Sequence, residues 1–237
     1  MPIGAGYQLR AVNHLEVSMS EPFPSTSRSR VVREANRAVY DRETIFQILD
    51  EAFVCHVGFS TDGQPFVIPT MFARVGEALF FHGSAASRML RGLGDGLPVC
   101  ITVTLIDGLV LARSVFNHSM NYRSVVALGL ATLIQEPSEK LQALRAFTEK
   151  LIPGRWNDAR QPNEQELKAT SILKLPLTEV SAKVRTGAVE DDAEDYALTV
   201  WAGIIPMHLA VDAPQRDDRC DPAIPTPVYA ANFGSNQ

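Results

Sequence analysis

Cysteine is scarce: there are three in 237 residues, none in a C-x-x-C pair. Cys55, Cys100 and Cys220 are odd in number and far apart, so neither a disulfide framework nor a thiolate zinc site is expected. Cys55 and Cys100 sit inside apolar, strand-like runs and read as buried free thiols of a reducing compartment. Long apolar runs are missing too. The longest, Val125 to Ile134, is about half the length of a membrane-spanning helix. A basic surplus is also absent, since 22 Lys and Arg face 27 Asp and Glu for a net charge of -5, which weighs against nucleic acid. The amino terminus carries Gln8, Arg10, Asn13, His14 and Glu16 where a secretion signal needs an unbroken apolar stretch. The five histidines show no zinc-site spacing, and there is no nucleophile elbow, P-loop or nicotinamide fingerprint. The expectation is a cytoplasmic protein that engages neither membrane nor nucleic acid.

What is present is a strand-and-turn grammar with a few helices inserted. Residues 1–32, rich in Ser, Pro and Arg, are expected to form a flexible arm. Asp41 looks like the N-cap of a short helix with Ile45, Ile48, Leu49 and Ala52 on one face. Strands are expected from Phe53 to Phe59, Pro65 to Val75 and Ala78 to His82, with turns at Asp62-Gly63 and Gly76-Glu77. A helical turn follows over Ala85 to Leu93. Pro98 to Leu105 and Leu109 to Val115 read as a hairpin around Asp107-Gly108, and Val125 to Gln135 as a further strand. Ser138 is expected to cap a long helix lined by Leu141, Leu144, Phe147 and Leu151. A helix over Glu164 to Ser171 and closing strands over Leu177 to Arg185 and Ala197 to Val211 complete a domain spanning 33–211. Residues 212–237 form a Pro-rich extended tail. Hairpins with inserted rather than alternating helices point to a mainly β (α+β) fold: a six-stranded antiparallel split β-barrel with added helices.

The most informative stretch is Phe80-Phe81-His82-Gly83-Ser84-Ala85-Ala86-Ser87-Arg88. A strand ends, a glycine lets the backbone turn closely, and a helix begins with free N–H groups, which favours an anion such as a phosphate. Ser84 and Ser87 add hydroxyls, and Arg88 adds a planar fork suited to phosphate oxygens. An ordinary capped helix with an exposed Arg accounts for the same residues. In Met120-Asn121-Tyr122-Arg123-Ser124-Val125 an Arg at a strand entry either reaches toward the same anion or is simply solvated.

Together with Gln64-Pro65-Phe66-Val67-Ile68-Pro69-Thr70 and the run Thr104 to Ser114, these segments resemble the flavin-binding core of the pyridoxamine 5'-phosphate oxidase-like split barrels. The branch they resemble most holds the nitroimidazole-resistance and flavin-nucleotide-binding proteins, and the likeness covers about 33–210. The resemblance implies flavin mononucleotide (FMN) as cofactor, lying in the groove of a homodimer. It places Val67, Ile68, Pro69 and Thr70 along the flavin ring, and His82, Gly83, Ser84, Ser87 and Arg88 at its phosphate end. Arg123, Ser124 and Trp201 are implied as further cofactor contacts, with Lys183 and Arg185 either adding positive charge or pairing with the acids that follow them.

Departures from the vitamin B6 oxidases narrow the expectation. Met89 stands where they carry a further basic residue, Ile204-Ile205 where they carry an Arg, and their Arg-x-His motif is absent, so oxidation of pyridoxamine phosphate is not expected. His82 is the candidate catalytic residue, against a role in packing the cofactor. His118, Asn121 and Tyr122 are candidates for facing a small-molecule substrate, and His56 reads as a satisfied barrel histidine. The acidic run Glu190 to Asp195 reads as a solvated loop. The function implied is an FMN-dependent oxidoreductase. A non-catalytic flavin carrier, a haem-binding barrel using His118 or His82, and deazaflavin binding remain as alternatives.

Overall fold

Cys55, Val57 and Phe59 alternate with Val54, His56, Gly58 and Ser60, and this alternation decides which way the second strand faces. In the structure, a computed structural model that describes residues 21–234, the first set is buried and the second points outward. Residues 1–20 of the expected arm and the last three of the tail lie outside the described residues. The strands are β1 (Ala38–Val39), β2 (Val54–Thr61), β3 (Gln64–Val75), β4 (Ala78–Ser84), β5 (Pro98–Leu111), β6 (Ser119–Leu130), β7 (Thr132–Leu133), β8 (Thr170–Pro176), β9 (Glu179–Arg185) and β10 (Gly203–Pro206). The helices are α1 (Arg42–Glu51), α2 (Arg88–Gly94), α3 (Pro137–Leu151), α4 (Arg155–Asp158), α5 (Glu164–Ala169) and α6 (Val228–Ala231).

All pairings are antiparallel, in the order β1-β9-β6-β5-β2-β3-β4-β8-β7, with β10 beside β5. The split runs along β3. Its first part, Gln64–Met71, pairs with β2, and its second, Phe72–Val75, pairs with β4. One long strand thus belongs to two sheets, and Phe72, Phe81, Leu79, Ile101, Leu173 and Leu175 are fully buried beneath them. Helix α1 adds Ile45, Ile48 and Leu49 to the same core, and Asp41 caps it by accepting from the Thr44 N–H at 2.8 Å.

The mainly β, antiparallel barrel with inserted helices is as expected, but several elements differ. The described residues form ten strands once the short β1, β7 and β10 are counted, and β8 begins at Thr170, inside the expected helix over Glu164 to Ser171. No turn forms at Asp107-Gly108. Strand β5 runs straight through it with a bulge, Ile106 facing Tyr122 and Gly108 facing Asn121, and the chain reverses only over 112–118. Gly108 serves close approach rather than a turn, because a Cβ there would lie 3.0 Å from the Ile205 carbonyl oxygen of β10.

Helix α3 starts at Pro137 after Glu136, so Ser138 does not cap it. It buries Ala143 and Phe147 while Leu141 and Leu151 stay exposed. Of Ala197 to Val211 only β10 is strand. At the described end of the arm, Phe23 is buried edge-on to Phe46, and its N–H donates to the Tyr40 carbonyl. The tail reaches back through Tyr229, whose hydroxyl donates to Asp158 at 2.7 Å. No helix among the described residues is long and apolar enough to cross a membrane.

Candidate functional site

Local hydrogen bonds build the loop from Gly83 to Arg88. Strand β4 ends when Ser84 pairs with Thr170 of β8, and the Ala85 N–H then donates to the Ala169 carbonyl. The Ser84 hydroxyl accepts from the Ala86 N–H at 3.2 Å, and the Ser87 N–H donates to the Ser84 carbonyl, closing a tight turn. Ser87 caps α2 by accepting from the Leu90 N–H, so the helix starts at Arg88 rather than Ala85. The N–H groups of Arg88 and Met89 in the first turn have no intrahelical partner. Gly83 sits close to α2, since a Cβ there would meet the Leu90 side chain at 3.1 Å.

Two guanidinium groups flank this turn without a carboxylate partner among the described residues: Arg88, and Arg91, which donates to the Ala86 carbonyl. Arg88 lies 4.5 Å over the Phe66 ring, and Phe66 stacks on Phe59. That contact ties Arg88 to β3 at Phe66, the residue before Val67. Val67 and Pro69 turn outward, Val67 at 66% exposure. Gly58 lies beside Val67 in the register, and Cys100 of β5 lies beside Gly58. The result is an open, largely apolar sheet face. His56, beside Pro69 and Thr102, is exposed on that face and does not sit inside the barrel.

On the other side of the loop His82 lines a cleft of about 380 Å³ between β4 and helices α3–α5, with Met71, Leu144, Phe147 and Trp156 among its walls. The ring tilts against Phe147 at 4.4 Å, and its Nδ1 is buried without a partner. Burial pushes the imidazole pKa below its ordinary value, so the neutral form prevails at neutral pH.

The remaining expected residues are placed elsewhere. Arg123 is held by Glu51 and Asp107, its Nε 3.0 Å and its Nη2 2.7 Å from Asp107 oxygens, and faces a different cleft from the loop. Ser124 donates to the Lys183 carbonyl, while the Lys183 ammonium donates to the Arg33 carbonyl. Arg185 is buried and bonded to Asn121 Oδ1 and the carbonyls of Gly187 and Ala188, with no acid partner among the described residues, and Asn121 is itself buried in that contact. Tyr122 sits beside Arg185 in the register. His118 is exposed, and its Nδ1 accepts from the Ala112 N–H at 3.3 Å. Trp201 is 66% exposed and lies over Gly203, where a Cβ would come 2.7 Å from its ring.

The acidic run is not simply solvated. The Asp191 carboxylate is fully enclosed and accepts from the N–H groups of Arg113 and Ser114 and from the Arg113 guanidinium. Phe66 and Arg91 are the loop partners that sequence reasoning passed over. Arg91 stands one turn after Arg88, and that spacing was the available signal.

A split sheet with a guanidinium-flanked turn at a strand–helix junction defines a split β-barrel protein. Residues 41–184 match the family described as pyridoxamine 5'-phosphate oxidase, over more than half of the chain, and the chain belongs to that family of split barrels. It is similar to the structure of a flavocytochrome from Azotobacter vinelandii, at 43% identity and a TM-score of 0.84, covering 89% of this chain and 99% of that one. An FAD- and haem-binding protein from Mycobacterium smegmatis shares 35% identity at a TM-score of 0.79, over 81% and 95% of the two chains. A protein from Bacteroides thetaiotaomicron assigned to 5-nitroimidazole antibiotic resistance shares the fold at 24% identity and a TM-score of 0.52, over 62% and 86%. No curated protein matches the chain.

Proposed function

We propose that this protein binds a flavin nucleotide, with the phosphate end at Ser84, Ser87 and Arg88 and the ring along Val67 to Thr70. One observation carries this reading: Arg88, without a carboxylate partner among the described residues, lies over Phe66 of β3, directly before Val67, and opens a helix capped by Ser87. The fit is chemical as well as spatial, since hydroxyls, unpaired amides and a planar guanidinium are the donors a phosphate takes. FMN needs one such anion site. Arg91 beside Arg88 gives the same turn a second cation, which suits the pyrophosphate of FAD equally.

When bound, the flavin supplies two-electron redox chemistry, for which we propose a reduced nicotinamide as donor and a small electrophile as acceptor. The chain's part is to hold the phosphate, keep the ring on the apolar face and exclude water there. The outward Val67 and Pro69, and Phe116 at 92% exposure, leave apolar surface for a second copy of the chain to cover. A homodimer with the flavin at the interface is part of this proposal.

A second reading adds haem, because one of the more similar structures is of an FAD- and haem-binding protein and the other of a flavocytochrome. Of the two histidines with a claim, His82 fits better. Burial keeps its imidazole neutral against an apolar wall. The Nδ1 of His118 already accepts from a backbone N–H, which places its proton on Nε2 and leaves no free lone pair for iron.

The test is the visible spectrum of the purified protein, then extraction and mass identification of any chromophore. A two-band spectrum with FMN or FAD released on denaturation is expected, and an added Soret band would support the haem reading. A colourless protein that takes up no added flavin would overturn the proposal. Bound flavin with no turnover across a broad acceptor panel would reduce it to a flavin carrier.

A further inference from the structure

A cleft larger than the one beside His82 has no part in the site above. It holds about 950 Å³ between the end of α1, the bulge of β5 and residues 207–211, within the ~300–1,000 Å³ range of small-molecule sites. It lies well along β5, at Thr104 to Asp107, whereas α2 and the loop before it join β5 at Pro98. Three charged side chains face it: Glu51, Asp107 and Arg123.

Their arrangement decides what the cleft can hold. Arg123 spends Nε and Nη2 on Asp107, at 3.0 and 2.7 Å, and Nη2 and Nη1 on Glu51, the former at 2.8 Å. One of its five N–H donors is left, so it offers no fork to an anion. Two carboxylates around one guanidinium leave one negative charge in excess. Each carboxylate keeps lone pairs not directed at Arg123, and Glu51 is half exposed. Asp107 reaches this place because it is the bulge residue of β5, and a bulge re-aims a side chain out of the strand's alternation.

The walls are apolar. Val54, Ile106, Met207, Leu209 and Val211 line the cleft, and each keeps exposed surface. Residues 207–211 have no regular structure but are pinned at both ends. The Met207 N–H donates to the Asp107 carbonyl at 3.0 Å, and Gly234 packs so closely on Val211 that a Cβ would come within 2.7 Å. His208, between those pins, is the other titratable side chain facing the cleft.

We propose that this cleft binds a small amine with an apolar body, its ammonium held by Glu51 and Asp107 and its body between β5 and residues 207–211. The site is separate from the proposed flavin site and does not depend on it.

The experiment is calorimetric titration of the full chain with three six-carbon probes: hexylammonium, hexanol and hexanoate. Hexylammonium is expected to bind at least about tenfold more tightly than hexanol, roughly the discrimination of one charge-assisted contact, with hexanoate weakest. Glu51→Gln should cut the preference for ammonium over alcohol to about threefold or less. Leu209→Trp, at an exposed position on the outer wall, should block all three probes while leaving the core untouched, and it keeps the test decisive if Glu51→Gln does not fold. Equal binding of amine and alcohol, preference for hexanoate, no binding of any probe, or binding that survives Leu209→Trp would each overturn the proposal.

Discussion

Arg88→Ala separates a phosphate-holding arginine from one that merely decorates a helix. The side chain is exposed, has no carboxylate partner and touches the fold through its 4.5 Å contact with Phe66. An exposed contact of that kind contributes about 0.5–1 kcal/mol, so the variant should fold and unfold close to wild type. A charge-assisted hydrogen bond to phosphate contributes about 1.5–3 kcal/mol, which corresponds to roughly 10- to 150-fold in Kd. The assay is fluorescence titration of apoprotein with FMN and with riboflavin, which shares the ring but has no phosphate. Wild type should prefer FMN strongly, and Arg88→Ala should lose that preference while binding riboflavin as wild type does. Equal weakening for both ligands would place Arg88 at the ring or in the fold. No weakening for either would leave the loop a capped helix and nothing more.

Asp41→Ala removes the α1 cap and should lower unfolding free energy by about 1 kcal/mol in denaturant titration. The Thr44 N–H holds Asp41 below its ordinary pKa, so this contribution should be present above about pH 4 and fade as pH falls through the depressed value. Lys150, half-buried beside α1 with its ammonium over the Phe72 ring, is pushed down to about 8 by desolvation. Between that value and its ordinary 10.5 the unfolded chain binds more protons, so stability should rise with pH across this window. Lys150→Met should flatten that rise. Gly108→Ala forces a Cβ against Ile205 and should release β10, read as faster hydrogen exchange at Gly203 to Met207. Burial pushes the Cys55 thiol up to about 12 and raises Cys100 too, so in the native protein only Cys220, beside Arg216, should react promptly with a thiol reagent.

Local signals in the sequence were sound where the structure they specify is local. Asp41 caps α1 through its own third neighbour, and Asp62-Gly63 turns β2 into β3 with both residues at positive φ. Asp107-Gly108 carries the same dipeptide and does not turn. Its glycine is demanded by β10, a strand that arrives almost a hundred residues later, and no local rule registers a neighbour so distant. β8 was lost for a related reason: a helix pattern over Glu164 to Ala169 passes into strand at Thr170 without a glycine or proline between them.

The same contrast governs the sites. The loop from Gly83 to Arg88 was legible because its hydroxyls, glycine and arginine are consecutive and the hydrogen bonds that shape it span two or three residues. Arg123 was not, because what fixes a guanidinium is the charge around it, and its carboxylates stand 16 and 72 residues away. Family resemblance assigned Arg123 to a cofactor, yet in this chain Glu51 and Asp107 have already claimed its donors. An arginine so paired can reach a phosphate only by leaving two partly exposed carboxylates unneutralised. If Arg123 nevertheless serves the flavin, Glu51→Gln should tighten FMN binding by freeing it. If it belongs to the second cleft, Glu51→Gln should leave FMN affinity unchanged and reduce only the preference for an amine.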